Sequence, residues 1–439
     1  MRSLSLSITL VLGFAALCTG QQEAGITLDE LERMALEGNP SLRQVEARIE
    51  AASGRRRQAG LYPNPIVGYA ADETTPAPIA RDGQHGFFVQ QRIVTGGKLG
   101  LARKVGEQEV ERTTAVASAQ RYRVLNAIRS LYYQGLGEQR LIEVRTELAA
   151  LAGRAVQTTR ELANVGQADL PDVLAIEIEA QRLELGLVQA RNALDRTWRQ
   201  IAALVNQPGM APRRLLGQID EIPDIEFETA LARIIEESPE LRAVEARRAA
   251  TELQVRQARA AVIPDIFARA GAQYNRGLID FNRPRTGGWQ GAVTIGVSLP
   301  IFNRNQGAIA ATRAEQRRAE LEVGRTRLEL QARLAAVFRE YQDSRAAVER
   351  YREHMIPKAH QAYEMYLRTY RQMSAAYPQL LIAQRNLFQL QEDYVATLID
   401  LWHRAVEIQG LLITTGIDAP GIMLGGRHEL DPLLEEGAH

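Results

Sequence analysis

Asn39-Pro40-Ser41-Leu42-Arg43-Gln44-Val45-Glu46-Ala47-Arg48 is written a second time as Ser238-Pro239-Glu240-Leu241-Arg242-Ala243-Val244-Glu245-Ala246-Arg247, an offset of about 200 residues. At that offset Pro65 falls on Pro264, and further along Leu170-Pro171-Asp172-Val173-Leu174 aligns with Tyr377-Pro378-Gln379-Leu380-Leu381. The segments that follow stay in step to Leu204 and Leu411. A match this long is not chance, so the chain is one design used twice. The join lies between residues 206 and 223, where Pro208, Gly209, Pro212 and Gly217 punctuate a stretch without periodicity. This divides the chain into a leader (1–20), a first repeat (21–215), a second repeat (216–416) and a loose tail (417–439).

Both halves show the same order of elements. A short helix (28–37; 227–236) stops at the Asn-Pro or Ser-Pro step, because the residue before proline avoids the helical region. A helix of about 20 residues, two strands around a polar loop, a very long helix and one of roughly 36 residues follow. The long helices cover 98–165 and 307–372, each on the order of 100 Å at ~1.5 Å per residue. No compact domain needs such a rod. Pro357 interrupts the second one, and an interior proline costs ~3 kcal/mol unless its neighbours accommodate it; a bend in one helix and a break into two both fit.

The helix after each long rod carries a narrow apolar seam. Val173, Ile176, Ala180, Leu183, Leu187, Ala190, Leu194, Thr197, Ile201 and Leu204 recur at alternating spacings of three and four, as in knobs-into-holes packing. Leu380, Ala383, Leu387, Leu390, Tyr394, Thr397, Leu401, Ile408 and Leu411 repeat the seam, with Arg404 its polar exception. A soluble coiled coil explains this pattern equally well.

The strands weigh against that reading. Trp289, Gly291, Val293, Ile295, Val297 and Leu299 alternate with Gln290, Ala292, Thr294, Gly296 and Ser298. Ile266, Ala268, Ala270, Ala272 and Tyr274 alternate likewise with Phe267, Arg269, Gly271, Gln273 and Asn275. Membrane strands alternate apolar-out and polar-in over about 9 to 11 residues, although any half-buried sheet alternates too. The first-half pair (66–71; 87–94) is less clean, since Arg92 stands among apolar residues. Four strands do not close a barrel, and an open edge in lipid leaves backbone groups unpaired. Two copies give eight strands around an interior filled by side chains, whereas three give twelve around a lumen. The expected architecture is therefore mainly α with a membrane β-barrel: duplicated coiled-coil helices and four strands per chain, a trimer closing a 12-stranded barrel above a periplasmic α-helical tunnel.

Composition narrows the partners. Acidic and basic residues balance at 53 each, which removes the long-range positive field of a nucleic-acid binder. Arg2 and the apolar run from Leu4 to Leu17 read as a secretory signal, the run being several residues short of the ~20 that span a bilayer. Cys18, the sole cysteine, stands where a lipid acceptor would, behind a bulky Leu17. No disulfide framework or zinc-thiolate site is available to the chain without it. No phosphate-cradling loop, zinc motif or nucleophile elbow occurs. His354 and His360 are six apart, on different faces of a helix, and are read as exposed side chains rather than a metal site. No cofactor is expected.

With the duplication, the Gly166-Gln167-Ala168-Asp169-Leu170-Pro171-Asp172-Val173-Leu174 turn and the heptads ending at Leu204, the sequence resembles the TolC family of outer-membrane efflux proteins over essentially all of its length after the leader. Ala59-Gly60-Leu61-Tyr62-Pro63-Asn64-Pro65 and Gly96-Gly97-Lys98 look most like the CzcC-type, heavy-metal branch. The resemblance implies a trimeric channel of a tripartite, RND-type pump, meeting a periplasmic adaptor and an inner-membrane pump. Such a channel passes metal cations, drugs or small organic solutes passively to the exterior of a Gram-negative cell. The family's periplasmic-tip aspartate is matched by Asp172, Gln379 holds that place in the second half, Tyr370 matches the gate tyrosine and Ala375 replaces the gate arginine. Gly166, Gln167 and Ala375 then mark the tip that meets the adaptor. Asp169 is either a second acidic pore residue or the cap of the helix beginning near Pro171. A periplasmic adaptor built on one helical hairpin is the rival reading, and it has no use for duplicated strand pairs.

Overall fold

The computed structural model describes residues 25–72, 83–166, 168–275, 287–371 and 377–412. The leader with Cys18, the tail 417–439, Gln167 and Ala375 lie outside the described residues. Each half opens on a capped helix pair. The Thr27 hydroxyl accepts from the Glu30 amide to start α1 (Leu28–Gly38), and Asn39, held extended before Pro40, ends it. The same Asn39 side chain accepts from the Ser41 amide at 2.9 Å and so begins α2 (Pro40–Ala59). Ser238 plays both parts between α5 (Phe227–Glu237) and α6 (Pro239–Ala260). Strands β1 (Ile66–Asp72) and β2 (Gln84–Ile93) follow in the first half, β3 (Ile266–Asn275) and β4 (Gly288–Val297) in the second. The second strand starts earlier than its apolar run at Phe87 predicts, because pairing with β1 and β3 draws in Gln84 and His85.

From the sheet run the rods. The first, α3 (Lys98–Asn164), is unbroken over 67 residues, ~100 Å at 1.5 Å per residue. The second runs through α7 (Gln306–Arg350), a π turn (Tyr351–Met355) and α8 (Ile356–Arg371). The wide turn sits immediately before Ile356-Pro357, where the Ile356 amide donates to the Tyr351 carbonyl instead of the usual i−4 partner. Widening the turn is how the chain takes in a proline ring that would collide with the carbonyl four residues back. Helices α4 (Leu170–Leu204) and α9 (Tyr377–Gln409) return. Every seam position of α4 and α9 named above is buried or half-buried, and Arg404 reaches Glu340 at 2.9 Å and Glu407 at 3.2 Å.

The returning helices meet the short ones end to end. The Asn39 side-chain Nδ2 donates to the Leu204 carbonyl at 2.9 Å, joining α4 to α2. In the second half Arg333 bridges Glu240 of α6 and the Leu412 carbonyl beyond α9. The core lies at this level, where Leu31, Val124, Ile128 and Ile201 meet Leu330, Leu334, Tyr341, Leu398 and Leu401. The join between repeats is folded onto it: Trp198 donates to the Met210 carbonyl, Trp402 to the Ile219 carbonyl, Tyr341 to the Pro223 carbonyl, and Tyr394 to Asp220 at 2.6 Å. Lack of periodicity there reflects pinning by aromatic donors rather than looseness.

The four strands form one antiparallel sheet in the order β1-β2-β3-β4. Its register puts Tyr69 beside Phe87, Val89 beside Ala270, Ala270 beside Val293 and Tyr274 beside Trp289 on one face. The opposite face carries Asp72, Gln90, Arg92, Arg269, Gln273 and Thr294. Arg92 thus belongs to the polar face, while His85 and Gln91 on the apolar face and Phe88 on the polar one leave the first-half alternation less clean than that of the second half. No helix among the described residues is long and apolar enough to cross a membrane.

Candidate functional site: channel mouth and barrel wall

The ends of α3 and α8 and the starts of α4 and α9 lie at the far ends of the rods from the sheet. Between α3 and α4, Gly166 takes φ +74° in the left-handed region, which a side chain would strain. Asp169 then occupies the N-cap position of α4, where its backbone carbonyl accepts from the Asp172 and Val173 amides at 3.0 and 3.3 Å. Its side chain makes no capping bond and is exposed, so capping does not account for the carboxylate. Asp172, half-buried, sits in the first turn of α4, where the helix dipole favours an acid. In the second half Tyr370 is half-buried in the last turn of α8. Gln379 is exposed in the first turn of α9 and lines a groove of about 500 Å³ with Ala359, Ala362, Tyr366, Ile382 and Ala383. The hairpins are tied near this end by Arg385 of α9, whose Nε donates to Glu179 of α4 at 3.1 Å. A second apolar line outside the seam, Leu170, Leu174, Ile178, Leu185 and Val188, is exposed along α4. The histidines read as exposed are so; His360 stands 3.8 Å from Glu364.

At the other end the sheet meets the helices through a buried carboxylate. Asp265, whose side chain is 5% exposed, accepts from Lys98 Nζ at 2.7 Å, from Arg92 Nε at 2.8 Å and from the Thr95 amide at 3.1 Å. Burial pushes its pKa up, but the bonds from Lys98, the Thr95 amide and Arg92 outweigh burial and hold it at about 2. Gly96 makes this junction possible with φ +67°; a Cβ there would stand 2.9 Å from Ile263. One repeat supplies the two cations and the other the acid. The signal was an acid inserted between Pro264 and Ile266, where the first repeat runs directly from Pro65 to Ile66.

The model of a family described as "Outer membrane efflux protein" matches residues 31–207 and 230–411. The chain belongs to that family. It is 22% identical over 387 residues to the cobalt-zinc-cadmium resistance protein CzcC of Cupriavidus metallidurans, covering 88% of this chain and 90% of that one. The fold is similar to that of CusC, described in terms of transmembrane channel formation, with TM-score 0.73 at 14% identity over 89% of this chain and 92% of that. It is also similar to the outer membrane protein VceC of Vibrio cholerae, with TM-score 0.70 at 20% identity over 88% and 95%. This efflux protein therefore has the subunit fold expected from its sequence, a four-stranded sheet carried on long helical hairpins.

Proposed function

We propose that three copies of this efflux protein close a twelve-stranded barrel and a helical tunnel, through which solutes handed over by an inner-membrane pump and periplasmic adaptor pass to the exterior. The observation that carries this reading is the four-stranded sheet, apolar on one face and polar on the other, at the end of ~100 Å rods. A four-stranded sheet cannot enclose a lumen alone, and lipid does not tolerate an open edge. Threefold symmetry sets Asp169 and Asp172 as carboxylate rings around the periplasmic mouth, with Tyr370 and Gln379 beside them as gate contacts. Gly166 stands at the tip that meets the adaptor, a role the sequence reading also gives to Gln167 and Ala375, which lie outside the described residues. The CzcC likeness favours divalent metal cations as the solute, with drugs or small organics the second class, and catalysis is no part of the proposed role. A single-hairpin adaptor leaves the strand pairs unexplained.

Native mass measurement in detergent tests the assembly: a trimer is expected, and a conducting monomer or dimer rejects the reading. Asp172→Ala is expected to assemble and to lose cation preference in planar bilayers. Unchanged selectivity and unchanged block by multivalent cations would remove Asp172 from the constriction.

A further inference from the structure

The polar face of the barrel sheet carries one aromatic residue of β2 in an unexpected setting. Phe88 pairs in register with Gly68 of β1 on one side and Gly271 of β3 on the other. A Cβ at Gly68 would stand 2.5 Å from Phe88 Cζ, and one at Gly271 would stand 3.2 Å from Phe88 Cβ. The ring therefore lies over Gly68, where a side chain would displace it, and the backbone of Gly271 packs close to its Cβ. Against its face stacks the Arg269 guanidinium, 3.8 Å from the ring centroid. An aromatic face is attracted to a cation and holds a planar guanidinium in one orientation. Phe88 is thus a shelf, and Arg269 is the charge set upon it.

That charge has no nearby acid among the described residues. Asp265 is taken by Arg92 and Lys98. Asp72 accepts from Gln273 at 3.2 Å and lies at the level of Asn275, six residues along β3 from Arg269. Six residues span ~20 Å of strand, more than two Debye lengths at ~8 Å in physiological salt. The strands' other charged side chain on this face is Arg92, also basic. Three copies of the four-stranded sheet make twelve strands, and ~4.8 Å spacing at a tilt of ~40° puts the wall about 12 Å from the axis. Arginines reaching inward from that wall leave the whole bore within about one Debye length of positive charge.

We propose that Arg269, positioned by Phe88, sets the charge preference of the barrel and makes it favour anions, so that solutes bearing carboxylate or phosphate groups pass it more readily than bare cations. This rests on the trimeric-channel reading. It gives the duct opposite fixed charge at its two ends, acidic at the periplasmic mouth and basic in the barrel, so a divalent cation meets resistance in the barrel in both directions and passes it best when its charge is compensated by such an anion.

The test is the reversal potential of the full-length protein in planar bilayers under a KCl gradient. Arg269→Gln is expected to raise the potassium-to-chloride permeability ratio by about threefold or more, whereas Arg269→Lys, which keeps the charge, stays near wild type. Phe88→Leu is expected to fall between them, because the guanidinium is then free to swing. A conducting Arg269→Gln trimer with the wild-type reversal potential overturns the role of Arg269 and leaves the channel reading intact. Wild-type protein that forms no pore removes both. A measurement on the wild type itself needs no variant to fold: tripolyphosphate is expected to reduce the current more from the barrel side than from the helical side, and equal or absent block from the two sides overturns the proposal.

Discussion

Replacing Asp265 with Asn keeps the shape of the side chain and removes the charge that Lys98, Arg92 and the Thr95 amide all address. The carboxyl is held at about 2 against an ordinary 3.8, and at ~1.4 kcal/mol for each tenfold change in proton affinity this is roughly 2 kcal/mol of stability at neutral pH. The variant also leaves Lys98, 19% exposed, against a neutral amide, which adds to the loss. Because the folded-state pKa is lowered, the contribution is complete above about 3.8 and disappears as pH falls towards about 2. Urea titrations of the detergent-solubilised protein, followed by tryptophan fluorescence, are expected to separate wild type and Asp265→Asn by roughly 2 kcal/mol at pH 7 and to converge between pH 3.8 and 2. A gap of constant size across that range, or none at pH 7, would refute the reasoning and reduce Asp265 to a surface acid.

The two sheet faces make a paired prediction: Ile295→Arg, on the apolar face, is expected to cost ~2–4 kcal/mol in lipid, while Thr294→Arg on the polar face costs under about 1 kcal/mol, the like charge of its register partner Arg269 included. Equal damage at both positions in heat-induced trimer dissociation argues against a barrel stave. In the helical core Trp402 stacks on Tyr133 at 3.6 Å between ring centroids and donates to the Ile219 carbonyl at 2.7 Å. Trp402→Ala is expected to lose ~3–5 kcal/mol and Trp402→Phe about 1 kcal/mol more than a pure ring change, both read from urea midpoints; indistinguishable midpoints would mean that the join between the repeats, 206–223, is not held there.

Periodicity and repetition are local properties, and they were readable directly. The doubled Pro-led segments located equivalent helix starts at Pro40 and Pro239, since a proline and its predecessor constrain the backbone whatever surrounds them. The heptad seam and the β3 and β4 alternation were legible for the same reason: spacing along one chain dictates which side chains share a face. Contacts across the duplication were not legible. The acid inserted at 265 marks a difference between the repeats, but nothing in the spacing announces that Lys98 and Arg92 meet it across 167 and 173 residues, because each of those two looks locally like an ordinary polar residue beside a strand. Phe88 and Arg269 meet only once β2 and β3 pair in one register, and a slip of one residue would send them to opposite faces. The proline at 357 signalled a disturbance, but whether the rod bent or broke depended on a π turn, which is an arrangement of backbone hydrogen bonds rather than of residue types. The chain by itself thus determined the elements, their order and their faces, whereas pairing across the two repeats decided where the charges stand, because electrostatics acts through distance in space and sequence gives only distance along the chain.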